Sequence, residues 1–323
     1  MRPRSILKAP STQCKHFASD RGPRPIPILP DGSLETFTTQ AFNPAKPALL
    51  PRKHFADLPA IHKWFTKPTP TTPTLLNTPY LSKFGATLVP IEITNEAHFT
   101  RIQQSLSFFL ECVTASTSHY PTTTPRTSRY FSAYVPGARA IKRTAPPSND
   151  FFSSSAALST PTARVYLAQA PLCDLPRAVV QDVPTPEVVL KAGKGDVYDS
   201  SIWLGQAPTY TPLHRDPNPN LFVQLAGQKR VRLCRAEVGR GIFARVQERI
   251  GGNASATMRG EEMMAGEEKR VLEEEVWGGQ EDEAESWDAE LESGDGLFIP
   301  KGWWHSVKGT GEGMTGSVNW WFR

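Results

Sequence analysis

The sequence predicts a mainly β fold, a β-barrel or jelly roll with flanking helices, on three observations. The last stretch of about 130 residues breaks into many short β-rich runs separated by turn residues, as strands do. Hydrophobic residues make up 39% and aromatic residues 10% of the 323, enough to bury a core. The 30 prolines crowd into the first half and leave little room there for long helices.

Taken in order, residues 1 to 55 are proline-rich without sustained periodicity. They are expected to wrap the core or to stay mobile. Residues 58–65 suit a short helix, and the Pro/Thr run 68–73 suits a linker. Residues 87–93 are β-rich. Over 96–113, Phe99, Ile102, Leu106, Phe109, Leu110 and Val113 recur at helical spacing, so a helix is expected there. A low-complexity stretch covers 114–128, and 164–169 alternates enough to be a strand. Strands are expected at 201–205 and 211–216. Residues 221–225 and 229–233 are expected to pair as a hairpin across Ala226-Gly227-Gln228. An acidic insert follows, partly helical around 266–276, and strands resume at 289–291, 297–300, 303–307 and 317–322.

The formal net charge of +4 conceals a division, because 261–292 is strongly acidic and the remainder is therefore basic. A basic body attracts nucleic acid, an acidic protein tail or an anionic small molecule; the plain alternative is a solubilising surface. The four cysteines, Cys14, Cys112, Cys173 and Cys234, are far apart with no C-x-x-C pair, so neither a zinc knuckle nor a redox dithiol is indicated. An intracellular setting, cytoplasmic or nuclear, fits unpaired thiols. No apolar run reaches membrane-spanning length and no secretory segment follows the start. The first nineteen residues carry Arg2, Arg4, Lys8 and Lys15 and no acid, as mitochondrial transit peptides do, but Pro3 and Pro10 oppose an amphipathic helix; the alternative is a disordered tail.

His214-Arg215-Asp216 is the central motif. Side chains two apart on a strand share a face, so His214 and Asp216 can converge on one ion while Arg215 points away. A third ligand is available in His305, which sits on an apolar strand face with Trp303 and Val307. Two imidazoles and a carboxylate on one side of an ion suit non-haem Fe(II); the same ligands also hold zinc. Alone, H-x-D is equally a turn residue and a cap. Lys229 shares a face with Val231 and Leu233, while Arg230 and Arg232 share the other and are expected to reach water. A buried ammonium needs an anionic partner, and a ligand carboxylate would serve. A register slip of one residue would instead bury both arginines.

The stretch 211–233, with His214, Asp216, Asn220 and Lys229 in it, resembles the JmjC-type, cupin-like oxygenases, most of all the small hydroxylases of the factor-inhibiting-HIF asparaginyl hydroxylase group. Residues 294–307, which contain His305, and 317–322, which contain Asn319, are similar to the second half of that family in the same order. The resemblance runs from about residue 200 to the end and more loosely back to Tyr80. It implies a double-stranded β-helix, with a proline-rich basic extension over 1–75 and an oxygenase domain over 76–323, its core at 196–323 and its acidic insert at about 236–288. It further implies Fe(II), 2-oxoglutarate and O2 as cofactors.

By the same resemblance, His214, Asp216 and His305 match the iron ligands, and Lys229 matches the lysine that pairs with the distal carboxylate of 2-oxoglutarate. Thr211 and Tyr166 match residues that reach that carboxylate. Asn220 and Asn319 match polar residues lining the pocket. Trp303, Trp304, Trp320 and Trp321 are expected as core and pocket wall. The implied activity is 2-oxoglutarate-dependent hydroxylation of a protein side chain. The alternatives are a modified tRNA base as substrate, lysine demethylation, and a binding module without catalysis. The chain ends directly after its last core strand, whereas relatives often continue into dimerising helices, so the resemblance leaves oligomeric state open. The insert is expected as a disordered loop or as a lid over a basic substrate.

Overall fold

A computed structural model describes residues 22–94, 99–117, 164–252, 264–279 and 285–323. Its strands are β1 (Arg24–Pro25), β2 (Ala48–Leu49), β3 (Leu88–Thr94), β4 (Phe99–Ser105), β5 (Arg164–Pro171), β6 (Val197–Gln206), β7 (Thr209–Arg215), β8 (Asn220–Ala226), β9 (Gln228–Cys234), β10 (Ser286–Leu291), β11 (Gly296–Ile299), β12 (Trp304–Thr310) and β13 (Met314–Phe322). Its α-helices are α1 (Leu34–Phe37), α2 (Pro59–Lys63), α3 (Thr78–Leu81), α4 (Leu106–Thr117), α5 (Arg177–Val180), α6 (Glu187–Lys191), α7 (Ala236–Arg249) and α8 (Gly266–Trp277).

Two sheets form. One has the order β1-β10-β9-β12-β7 and the other β2-β11-β8-β13-β6-β5-β3-β4. They face each other across an apolar interior to which Val231, Leu233, Ala289, Leu291 and Val307 come from the first, and Leu49, Phe222, Leu297 and Ile299 from the second. From β6 to β13 the chain crosses between the sheets at nearly every turn, which is a jelly roll, or double-stranded β-helix.

That crossing corrects the expected hairpin. β8 pairs with β11 and β13, whereas β9 pairs with β10 and β12. Gly227 turns the corner between sheets at φ +67, where an added Cβ would lie 2.6 Å from the Met314 carbonyl oxygen. The run of β8 is buried on both faces: Leu221, Val223 and Leu225 join the core outside the sandwich, while Phe222 faces in.

The helix expected over 96–113 is a strand followed by a helix. Phe99–Ser105 is the edge strand β4, laid antiparallel on β3 with Ile102 opposite Ile91, and only from Leu106 does the chain coil. Spacings of three and four at Phe99, Ile102 and Leu106 mimic a helix, but pairing with β3 overrides them.

The proline-rich segment is part of the fold wherever it is described. β1 pairs with β10 and β2 with β11, and Phe37, Ala41, Ala60 and Trp64 are fully buried. Its prolines sit where they cost little, as at Pro59 in the first turn of α2. The first nineteen residues and most of 114–128 lie outside the described residues.

The insert carries two helices packed together on the outer face of the five-stranded sheet. Ile242, Phe243 and Val246 of α7 and Val271, Leu272 and Val276 of α8 close over Leu213, Cys234 and Trp304. α8 corresponds to the expected helical stretch; α7 was not anticipated. This cover also corrects the expectation for the arginines. Arg232 is 4% exposed beneath the insert, bonded to Asp288 and to the Val276 carbonyl and stacked on Trp277. Arg230 bonds the same Asp288 and stays half exposed.

Candidate metal centre

β7 and β12 run antiparallel with His214 directly opposite His305. Their ring centroids are 4.2 Å apart, and His305 Nε2 lies 3.7 Å from Asp216 Oδ2. One ligand atom from each of His214, Asp216 and His305 falls within 4.8 Å of the others, close enough for a single ion to bridge them.

Both rings are oriented from behind. His214 Nδ1 is 2.8 Å from the Pro212 carbonyl oxygen and His305 Nδ1 is 3.3 Å from that of Trp303. Donation from Nδ1 leaves each Nε2 lone pair free for a metal. Burial and the neighbouring His214 push His305 down to about 4, so it is neutral at pH 7. Burial pushes Asp216 up, but His305, His214 and hydrogen bonds from Trp321 and Asn220 outweigh it and hold the carboxyl below its ordinary range. Trp321 Nε1 donates to Asp216 Oδ2 at 2.7 Å and Asn220 Nδ2 at 3.0 Å. Asn319 Nδ2 in turn donates to Asn220 Oδ1 at 3.0 Å. Two imidazoles and one carboxylate, braced in this way, fit a divalent cation.

Thr211 reaches the same face through an irregularity. Between the pairs His305–His214 and Val307–Thr211, β12 advances two residues and β7 three. The extra residue is a β-bulge, and it turns Thr211 inward where strict alternation from His214 would turn it out.

Lys229 is 3% exposed, and its Nζ donates to Ser317 Oγ at 2.9 Å over the ring of Phe222. Burial pushes its ammonium down to about 7, and no carboxylate pairs with it among the described residues. Ser317 and Trp321 share a face of β13 four residues apart, about 13 Å along a strand. Lys229 and the triad thus stand at the two ends of one stretch of the inner face of β13. Tyr166 on β5 lies opposite Gly205 on β6, where a Cβ would come within 2.2 Å of its ring. The ring therefore lies across β6 and meets Trp203, at 6.0 Å, which stands opposite Ser317. Burial pushes the Tyr166 phenol up. The eight residues singled out in the sequence thus all line one interior.

Three contributors were missed: Trp321, expected only as wall, and Ser317 and Trp203. The signal was available, since 317 and 321 flank Asn319 at a spacing of two on one strand. Trp304 and Trp320 are fully buried, and Trp303 packs edge-on against Trp287 at 5.2 Å.

The profile of the cupin-like domain family matches residues 36–323. The chain belongs to the cupin-like domain family. Among relatives of this cupin-like chain, the lysine-specific demethylase JMJ30 of Arabidopsis thaliana is 30% identical over 164 residues, 51% of this chain and 35% of the relative. The Jumonji C domain-containing protein 5 of Drosophila melanogaster is 24% identical over 301 residues, 92% of this chain and 60% of the relative. Lysine-specific demethylase 8 of Danio rerio is 35% identical over 80 residues, 24% of this chain and 20% of the relative. The chain thus spans less than two thirds of each of these relatives. The names of these relatives describe lysine demethylases and a Jumonji C domain-containing protein. Among the described residues no helix is long and apolar enough to cross a membrane.

Proposed function

We propose that this chain is a 2-oxoglutarate-dependent hydroxylase of a protein side chain. The observation that carries the reading is the conjunction of His214, Asp216 and His305 with the carboxylate-free ammonium of Lys229 in one interior. When bound, Fe(II), 2-oxoglutarate and O2 supply the oxidation of a C–H bond, with the cosubstrate leaving as succinate and CO2. The chain's own residues bind and orient. His214, Asp216 and His305 hold the metal, while Trp321 and Asn220 fix the Asp216 carboxylate. Lys229, with Thr211 and Tyr166, holds the distal carboxylate of the cosubstrate, and Asn220 and Asn319 line the pocket between. The apolar wall of Phe222, Val231, Leu233 and Val307 keeps that end dry.

A protein substrate is supported by relatives whose names describe action on lysine, and the same names support demethylation as a second reading, in which an N-methyl carbon is the one oxygenated. Purified protein with Fe(II) and 2-oxoglutarate, incubated with a proteome extract and followed by succinate release and mass spectrometry, separates these outcomes. A gained oxygen on a side chain, absent with His214→Ala, supports hydroxylation. Loss of a methyl group from lysine supports demethylation, and oxygen gained by RNA supports a tRNA base. Failure to bind either Fe(II) or 2-oxoglutarate would reduce the chain to a binding module.

A further inference from the structure

Trp203 stands on β6 opposite Ser317, whose hydroxyl accepts from Lys229, and its ring meets that of Tyr166. Its indole Nε1 is buried and has no hydrogen-bond partner among the described residues. Buried N–H groups are seldom left without an acceptor. The indoles of Trp304 and Trp320 are also unpartnered, but they face the apolar clusters outside the sandwich. Trp203 alone of these three shares the inner face with Ser317 and Tyr166. Ser201 Oγ and Asn319 Oδ1, opposite each other one step nearer the triad, are unpartnered as well. Trp203, Ser201 and Asn319 thus place three unpartnered polar atoms along one stretch of the interior, and the indole N–H nearest Lys229 is neutral and rigid.

We propose that Trp203 is a further cosubstrate-binding residue, its indole N–H donating to the distal carboxylate of 2-oxoglutarate beside the Lys229 ammonium. The inference rests on the functional reading above, which assigns that carboxylate to Lys229. Besides the Thr211 and Tyr166 hydroxyls, an anion at this level meets one cationic donor and one rigid N–H donor from adjoining walls. The ammonium supplies attraction, and the indole N–H, fixed by the packing of its ring on Tyr166, supplies direction.

The test uses full-length protein loaded with Zn(II), which supports no turnover. With the indole N–H resonances assigned in the 15N-labelled wild type, 2-oxoglutarate is expected to move the Trp203 signal downfield. Pyruvate, which keeps the keto acid and lacks the distal carboxylate, is expected to leave it in place. Trp203→Phe keeps the ring against Tyr166 and removes the donor; it is expected to raise the Kd for 2-oxoglutarate about tenfold, leaving the Kd for Zn(II) unchanged. An unmoved Trp203 signal with 2-oxoglutarate bound overturns the inference alone, and so does an unaltered Kd in the variant. Wild-type protein that holds Zn(II) but binds no 2-oxoglutarate overturns the functional reading and this inference with it. The wild-type titration decides the matter even where the variant fails to fold.

Discussion

Lys229 should make cosubstrate binding depend on pH in a way that an exposed lysine would not. Burial holds its ammonium at about 7 in the protein without cosubstrate. A carboxylate brought against Nζ favours the charged form and returns the group toward its ordinary range near 10.5. Binding must then take up a proton wherever Lys229 is neutral beforehand. At pH 8, one unit above that value, about nine tenths of the lysines are neutral, so about 0.9 proton should be bound per 2-oxoglutarate; at pH 6 the uptake should be about 0.1. By linkage, the Kd should be nearly flat below pH 7 and rise about tenfold per pH unit above it. Calorimetry of 2-oxoglutarate binding to the Zn(II)-loaded protein, in buffers of different ionisation enthalpy, measures the uptake directly. Lys229→Met should bind more weakly and lose the slope. Heats independent of buffer at pH 8, together with a Kd flat from pH 7 to 9, would refute the assignment of Lys229 as the carboxylate's partner.

Four further outcomes follow from the same geometry. Trp321→Phe removes the N–H that holds Asp216 Oδ2 and should weaken Zn(II) or Mn(II) affinity about 10- to 100-fold by calorimetry, with an unchanged circular dichroism spectrum. His305 sits at about 4 in the fold and at its ordinary 6.5 when unfolded, so between those values the unfolded chain binds more protons. Its contribution to stability is therefore complete above pH 6.5 and lost as pH falls toward 4; melting of the metal-free protein across that window should show it, and a flat profile would contradict it. Gly227→Ala places a Cβ 2.6 Å from the Met314 carbonyl oxygen at a positive φ and should cost about 2 kcal/mol in urea unfolding. Asp288→Ala leaves the buried Arg232 without its carboxylate and should cost about 3 kcal/mol in the same assay.

The readings that rest on alternation along a strand carry furthest from the sequence. His214 and Asp216 share a face because they are two apart, and Lys229 faces inward because Val231 and Leu233 do. Alternation is a local property, so one sequence displays it. What a strand pairs with is not local. β8 and β9 follow each other through a glycine corner and look like a hairpin, yet they belong to opposite sheets because β11 and β13 claim one while β10 and β12 claim the other. Arg230 and Arg232 were expected in water for the same reason. Their strand face is polar, but α8 of the insert supplies Trp277 and the Val276 carbonyl, and the neighbouring strand β10 supplies Asp288. Helical spacing across 99–106 misled because it is a local preference, and pairing of Phe99–Ser105 with β3 overrides it.

Thr211 marks where alternation itself gives out. Counted from His214, it belongs on the outer face, among Leu213 and the insert helices. Resemblance to the JmjC oxygenases nevertheless implied a pocket residue, and only the bulge between β7 and β12 reconciles the two. Were the same β7 sequence paired with β12 residue for residue, His214 would still oppose His305, but Pro212 would take the place opposite Val307. Thr211 would instead face the insert, and the wall opposite Val307 would lose its hydroxyl. The bulge therefore lets one short strand serve two levels of the cavity, the imidazole at the metal and the hydroxyl deeper in. Thr211→Val, which keeps the shape of the side chain and removes its hydroxyl, should leave Zn(II) binding unchanged and weaken 2-oxoglutarate binding, a separation that loss of the whole strand would not produce.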